Sequence, residues 1–203
     1  MPLLDELAFP PEPLALLAIW RDDAVAAGEV QPSAMTLATA DAAGVPSART
    51  VLATEITPAD GITFHSSAPT RKVSDLSGNP RAAGVFAWHG LQRQAVASGT
   101  VRRLDDATVD AAFARRPRPL QLLAWLYEEQ PARTAPAIQA AYDAIVRRHA
   151  HRDVPRPPTW TGFVLTPHEV LFWQRGDEVS DQSSERVRYT RAGATWQLDR
   201  LLP

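Results

Sequence analysis

The sequence predicts an antiparallel β-barrel with appended helices, an α+β fold, and three observations carry that expectation. Short segments of alternating apolar and polar residues, bounded by turn residues, recur over 35–103 and again over 162–201. Helical spacing of apolar residues is confined to the start of the chain and to residues 105–150. No phosphate loop or glycine-rich dinucleotide fingerprint appears, which argues against a doubly wound nucleotide fold. Meandering strands with few helices between them favour a barrel.

Residues 1–32 are expected to form a helical lead-in: Pro13 suits a first turn, Leu14, Leu17 and Ala18 form an apolar stripe, and Gly28 is a stop. Residues 33–203 follow as the barrel, making a single domain overall with a helical insertion over 105–150. Met35 and Leu37 open a strand, Asp41–Gly44 turns, and Val45–Thr54 is extended. Asp60-Gly61 signals a hairpin into a strand with Ile62 and Phe64 on one face. Thr70–Pro80 spans a short helix, capped by Thr70 and ended by Gly78 and Pro80. Val85–Trp88 and Leu91–Arg103 are strands around a turn at His89-Gly90.

In the insertion, Asp105 or Asp106 caps a helix bearing Val109, Ala112 and Phe113, which Pro117 and Pro119 break. Leu120, Leu123 and Leu126 mark a second helix, and Thr134 caps a third with Ile138, Tyr142 and Ile145. His149–Pro158 is a polar, proline-rich linker in which His149 and His151 are expected to be solvated. Strands at Gly162–Thr166 and Val170–Gln174 follow, then a hairpin of Val187–Thr190 with Thr195–Leu201.

Composition narrows the function classes. With 203 residues, 45% apolar and 22% charged, the chain can bury a full core without staples. A net charge of −2 argues against a nucleic-acid partner, because phosphate neutralisation needs a basic surplus. The absence of cysteine excludes disulfides, thiolate nucleophiles and thiolate metal sites, and no other metal site is expected. The longest apolar run, Leu14 to Trp20, is far short of a membrane span and is preceded by acidic Asp5 and Glu6, so a cytoplasmic protein is expected. Lys72 is the only lysine among 21 basic residues. Where arginine serves as the general cation, a surviving lysine points to a specific role, against chance survival on a solvated helix.

Lys72 sits in Thr70-Arg71-Lys72, at the start of the short helix. Cations there oppose the helix dipole unless an anion lies between, and a bound phosphate resolves that conflict. An exposed basic turn is the plainer alternative. Arg49, Arg93 and Gln94 stand in otherwise apolar strands, and together with Arg71 and Lys72 they have the means to converge on one anion. His65 follows Phe64 in a strand and could face either way; Phe172-Trp173 suits a core as readily as a site. No serine, histidine and acid set has a hydrolase spacing, and no catalytic acid–base residue is assigned.

The ordered set of segments resembles the pyridoxamine 5′-phosphate oxidase family across nearly the whole chain. It comprises Pro32-Ser33-Ala34-Met35, Arg49-Thr50-Val51-Leu52, Thr70-Arg71-Lys72, Asn79-Pro80-Arg81, Trp88 to Gln94 and Arg116-Pro117-Arg118, then Trp160-Thr161-Gly162-Phe163, Phe172-Trp173-Gln174 and Trp196 to Pro203. The resemblance implies an FMN-binding split β-barrel homodimer with FMN at the subunit interface. It implies that Arg49, Arg71 and Lys72 hold the FMN phosphate, and that Thr50, Val51, Leu52, His65 and Ser66 line the cofactor. Gln94, Trp173 and Arg186 complete that site, partly from the partner subunit, with Gln130 or Glu129.

The departures lie where the family grips its substrate. A lysine, a tyrosine, an arginine and a serine hold the substrate phosphate in the family; the matching positions here are Thr54, Ala112, Arg116 and Leu120. The family's Arg-x-His-x-Arg aligns with Gln182, Ser184 and Arg186, so both residues that contact the substrate ring are replaced. Each lost charge-assisted contact is worth roughly 1.5–3 kcal/mol. The resemblance therefore implies an FMN-dependent oxidase or reductase taking a hydride from a reduced amine or nitrogen heterocycle other than pyridoxamine phosphate. An aromatic or polycyclic compound such as the reduced phenazine precursors handled by one branch of the family suits the more apolar pocket. The alternatives are a genuine pyridoxamine phosphate oxidase, using Arg115 and Arg118 for the phosphate, and a non-catalytic flavin-binding protein.

Overall fold

A computed structural model describes residues 9–68, 70–129, 133–176 and 184–202. In chain order the elements are α1 (Pro13–Ala26), β1 (Ala34–Ala40), β2 (Pro46–Thr57), β3 (Gly61–Ser67), α2 (Arg71–Gly78), β4 (Arg81–Trp88) and β5 (Arg93–Arg103). Then come α3 (Asp106–Ala114), α4 (Arg118–Glu129), α5 (Ala135–Arg148), β6 (Trp160–Gln174), β7 (Glu185–Ala192) and β8 (Thr195–Leu201). The strands form one sheet in the order β3-β2-β1-β4-β5-β6-β7-β8. A further β3–β6 pairing closes the first six into a barrel, which β7 and β8 extend. By contacts the chain divides into two compact units, one of Met1–Phe64, Ser74–Arg102 and Val164–Pro203, the other of His65–Val73 and Arg103–Phe163.

The first unit follows the predicted pattern closely. Met35 and Leu37 of β1 are buried, and across β2 Val51, Ala53 and Ile56 are buried while Thr50, Leu52 and Thr54 are exposed. Helix α1 starts with Pro13 in its first turn and ends before Gly28, whose φ of 78° is open to glycine at little cost. It buries Leu14, Leu16, Leu17 and Trp20. Arg93 is not an outward strand cation. It is 3% exposed, donates to Asp23 at 2.7 Å and to Gln174 at 3.2 Å, and lies 4.7 Å over the Trp20 ring. With its charge paired inside the core it ties α1 to β5 and β6 and is no anion ligand.

The sequence predicts two strands where the fold has one, β6, running unbroken through Pro167. The reason lies on β5: a Cβ on Gly99 would stand 2.1 Å from the Thr166 carbonyl oxygen and 2.6 Å from Pro167 Cα. The absent side chain lets the two backbones pass in contact.

In the second unit Asp105 caps α3, accepting from the Thr108 amide at 2.8 Å. Pro119 does not break a helix but sits in the first turn of α4, where its missing N–H costs nothing. The buried residues of α4 are Gln121, Leu122 and Ala124; Leu120 is 38% exposed, because the Gln121 amide turns inward to the Phe113 carbonyl at 2.8 Å. Helix α5 buries only Ile145, and Ile138 is exposed. Val109, Phe113, Leu122, Ala124, Ile145, Val154 and Trp160 form the core of this unit. The expected solvated His149 is instead 3% exposed beside Trp125, and neither ring nitrogen has a hydrogen-bond partner among the described residues. Arg118 closes over it by donating to the carbonyls of His149 and Arg152.

Two stability outcomes follow. Gly99→Ala is expected to lower the urea-unfolding free energy by about 3 kcal/mol or more, because backbone must move. Gly84→Ala should cost less, since its nearest neighbour is the flexible Met35 side chain. Burial first, and the charges of Arg152, Arg148 and Arg118 second, hold the His149 pKa below its ordinary 6.5. The unfolded chain then takes a proton that the folded chain refuses, so stability falls as pH drops below about 6.5. His149→Leu should flatten that fall, read as urea midpoints between neutral and mildly acid pH.

Candidate functional site

The lone lysine stands in a small polar cluster of the second unit. Lys72 Nζ, in the first turn of α2, donates to Ser66 Oγ at 2.9 Å and to Thr70 Oγ1 at 3.3 Å. The two hydroxyls lie 3.4 Å apart, and Ser66 is buried at the end of β3. A compact ammonium on a flexible stem turns back onto hydroxyls readily. Arg71 is exposed on the same turn. An ammonium, two hydroxyls and a helix N-terminus make a donor set suited to an oxyanion such as a phosphate.

Arg49 belongs to the other unit. It donates to the Leu37 carbonyl at 3.1 Å, to Thr39 Oγ1 at 2.8 Å and to Ser47 Oγ at 2.5 Å, and lies 3.7 Å from the Asp75 carboxylate. Asp75, 3% exposed, accepts from both hydroxyls at 2.6 and 2.7 Å. The Arg49 charge is thus balanced within the protein. The sequence does not single out Asp75, whose spacing from Arg71 and Lys72 suggests only an intrahelical pair.

Alternation separates the other β2 residues. Val51 is 8% exposed on the core face, whereas Leu52 is 53% exposed on the opposite face with Thr50 and Thr54. Only the strand backbone is common to both faces. The same rule gathers three predicted residues. Arg93 and Gln174 share the core face through their hydrogen bond, so Gln94 and Trp173, their neighbours in sequence, face the other way. Arg186 is directly opposite Trp173 in the β6–β7 register and joins them there.

His65 and Arg116 meet at a residue the sequence does not single out, Trp160. The His65 ring stacks on the Trp160 indole with centroids 4.6 Å apart and planes 4° from parallel. Arg116 Cζ lies 5.4 Å from the same indole's centroid, and Phe113 packs edge-on at 4.9 Å. Burial first, and the Arg116 charge second, lower the His65 pKa from 6.5 to about 4. Burial also lowers that of Arg116, which stays charged. The only forewarning of Trp160 in the sequence is its place in Trp160-Thr161-Gly162-Phe163.

The remaining predicted substrate residues bring no charge. Thr54 Oγ1 donates to the Thr63 carbonyl at 3.2 Å, Ala112 is half-buried, and Leu120 is exposed. Ser184 is half-buried just before β7, while Gln130 and Gln182 lie outside the described residues. Among the described residues no group of three or more histidine or acidic side chains could hold a metal ion, and no helix is long and apolar enough to cross a membrane.

Residues 22–174 match the pyridoxamine 5′-phosphate oxidase family, and residues 160–203 match the pyridoxine 5′-phosphate oxidase C-terminal dimerisation region. A pyridoxine/pyridoxamine 5′-phosphate oxidase of Salinispora arenicola is 43% identical over 91% of this chain and 83% of its own length. One from Thermobifida fusca is 40% identical over 98% of this chain and 92% of its own length. Among solved structures, PhzG from Burkholderia lata, in complex with tetrahydrophenazine-1-carboxylic acid, superposes with a TM-score of 0.87 at 27% identity, covering 100% of this chain and 98% of that one. A pyridoxamine 5′-phosphate oxidase-related, FMN-binding protein of Nostoc punctiforme shares the fold, with a TM-score of 0.72 at 17% identity over 97% of this chain and 100% of that one. With two family matches that together span residues 22–203 and relatives at these identities, the chain belongs to the pyridoxamine 5′-phosphate oxidase family.

Proposed function

We propose that the chain is an FMN-dependent oxidase acting on a reduced amine or nitrogen heterocycle other than pyridoxamine phosphate, as a homodimer with FMN at the subunit interface. The observation that carries this reading is the Lys72–Ser66–Thr70 cluster at the start of α2, a donor set that fits the flavin phosphate. Family membership and the match to a dimerisation region support it. When bound, FMN supplies the redox chemistry, its N5 accepting a hydride from a carbon next to nitrogen.

The protein's own residues bind and orient. Lys72 and Ser66 hold the phosphate with Arg71, and Arg49 adds a guanidinium kept in place by Asp75. By the family resemblance Thr50, Val51, Leu52 and His65 line the cofactor, and Gln94, Trp173 and Arg186 complete the site, partly from the partner subunit. On the substrate side Arg116 is the retained cation; Thr54, Ala112 and Leu120 add none, and Gln182 and Ser184 make the further contacts. Losing several charge-assisted contacts at roughly 1.5–3 kcal/mol each weakens a phosphate ester by orders of magnitude. The solved PhzG complex, whose bound compound is a tricyclic carboxylate, supports a flat acidic substrate.

A genuine pyridoxine/pyridoxamine 5′-phosphate oxidase is the second reading, favoured by the names of the curated relatives. It needs another phosphate grip. Arg118, one candidate, is already committed to the His149 and Arg152 carbonyls.

Lys72→Ala is expected to weaken FMN binding about tenfold to a hundredfold while leaving riboflavin, which lacks the phosphate, within about twofold. Flavin fluorescence titration reads both; equal losses for the two flavins would remove Lys72 from the phosphate site. Under anaerobic conditions a reduced phenazine carboxylate should bleach the bound flavin far faster than pyridoxamine phosphate, with recovery in air. The reverse order would establish the second reading, and a flavin that neither compound bleaches would indicate a binding protein without turnover.

A further inference from the structure

His65, Arg116 and Trp160 form an arrangement that flavin binding alone does not explain. His65 ends β3, Trp160 begins β6, and Arg116 lies in the turn between α3 and α4. The backbone that carries the indole is held from several sides. Arg156 donates to the Trp160 carbonyl at 2.8 Å and is itself paired with Asp110 at 2.5 Å and Asp106 at 3.1 Å. Thr159 donates to the Glu128 carboxylate, and its carbonyl accepts from the Ala68 amide at 2.9 Å. A Cβ on Gly162 would stand 3.0 Å from His65 Cδ2 and 3.1 Å from Nε2, so the glycine keeps room for the imidazole on the indole. A braced aromatic plate thus carries an imidazole and a guanidinium together.

We propose that His65 and Arg116, joined by the Trp160 plate, form one anion-reading site in which an acidic group of the substrate binds Arg116 as the His65 imidazole takes up a proton from solvent. The assignment rests on the proposed role of Arg116 in substrate contact. Without an anion, burial and the neighbouring guanidinium keep His65 neutral down to about pH 4. A carboxylate or phosphate on Arg116 offsets that repulsion, so the imidazole accepts a proton more readily. By reciprocity the proton tightens the anion. The imidazolium also gains a cation–π contact with the indole already stacked beneath it. The balance is simple: one anion and one solvent proton enter, and one N–H bond forms.

Further ionisable groups stand on the neighbouring elements. They are Arg115 and Arg116 on the α3–α4 turn, Tyr127 and Glu128 of α4, Arg71 and Lys72 of α2, and Arg103 at the end of β5. Lys72 is engaged by Ser66 and Thr70, and Glu128 by Thr159. Tyr127 acts on Arg116, and the Arg116 charge acts on His65.

The test uses FMN-loaded protein with labelled histidine, and benzoate and inorganic phosphate as probes. His65→Gln identifies the His65 resonance among the five histidines. That resonance is expected to titrate near pH 4 in the free protein and at least one pH unit higher with saturating benzoate. With the midpoint moved one unit, from about 4 to about 5, benzoate should bind about twofold tighter at pH 5 than at pH 7.5, and proportionally more if the midpoint moves further. Arg116→Gln should weaken both probes about tenfold or more and return the His65 midpoint towards 6.5, whereas His65→Gln should bind benzoate without that pH dependence. A His65 midpoint that benzoate does not move, wild-type affinity independent of pH, or probes that bind equally well to Arg116→Gln or not at all would overturn the inference. Flavin uptake is read separately by absorbance. A yellow protein without the linkage rejects this site alone, and a protein that refuses FMN rejects the proposed function whatever His65 does.

Discussion

Closure of the sheet by β3 against β6 is the constraint on which the rest of the structure depends. It is met at two glycines. A Cβ on Gly61, at φ 119°, would stand 2.4 Å from the Leu165 carbonyl oxygen, and one on Gly162 would crowd His65. With side chains absent at these points the strands approach and pair, and the six-strand ring is complete without a free edge between them. The same pairing brings the end of β3, carrying His65 and Ser66, alongside the start of β6, carrying Trp160. The candidate chemistry is therefore a consequence of barrel closure, with the insertion supplying Arg116 and the linker after it the Arg156 brace.

In a chain with so many arginines, a cation's role is decided by its partner. Arg93 pairs with Asp23 in the core, Arg156 with Asp106 and Asp110, and Arg49 with buried Asp75. Each of those charges is compensated inside the protein, and breaking one pair would strand the other partner. Lys72 meets hydroxyls, and Arg116 meets an aromatic face. Hydroxyls and a π-face orient a cation as a carboxylate does, and an anion can add to such a group.

This distinction also marks what was legible in the sequence. Local signals sufficed where one segment carries the whole cause: Pro13 and Gly28 bound α1, Asp60-Gly61 makes a hairpin, and alternation in β1 and β2 declares their core faces. They failed where the cause lies elsewhere in the chain. Pro167 ends no strand because Gly99 lies beneath it, and Leu120 is exposed because Gln121 finds the Phe113 carbonyl. His149 is buried because Arg118 caps its carbonyl and Trp125 covers its ring. The site divides in the same way. Lys72 stood out by its rarity, and the family resemblance led to His65, Arg116, Trp173 and Arg186. No local pattern could announce that Asp75 balances Arg49 or that Trp160 joins His65 to Arg116.

The number of cations left to the substrate side bears on what it binds. A phosphate monoester carries close to two negative charges near neutral pH, and removing both from water demands several charge-assisted donors at once. In the proposed site Arg116 is the retained cation, Arg118 is turned to backbone carbonyls, and residues 54, 112 and 120 are uncharged. A carboxylate carries one charge, which a single guanidinium matches with a planar, bidentate pair of hydrogen bonds. If the carboxylate is fused to a flat ring system, the remaining binding energy comes from stacking and apolar burial rather than from further charges. Under the proposed function a flat monoanion is therefore a better electrostatic match than a phosphate ester.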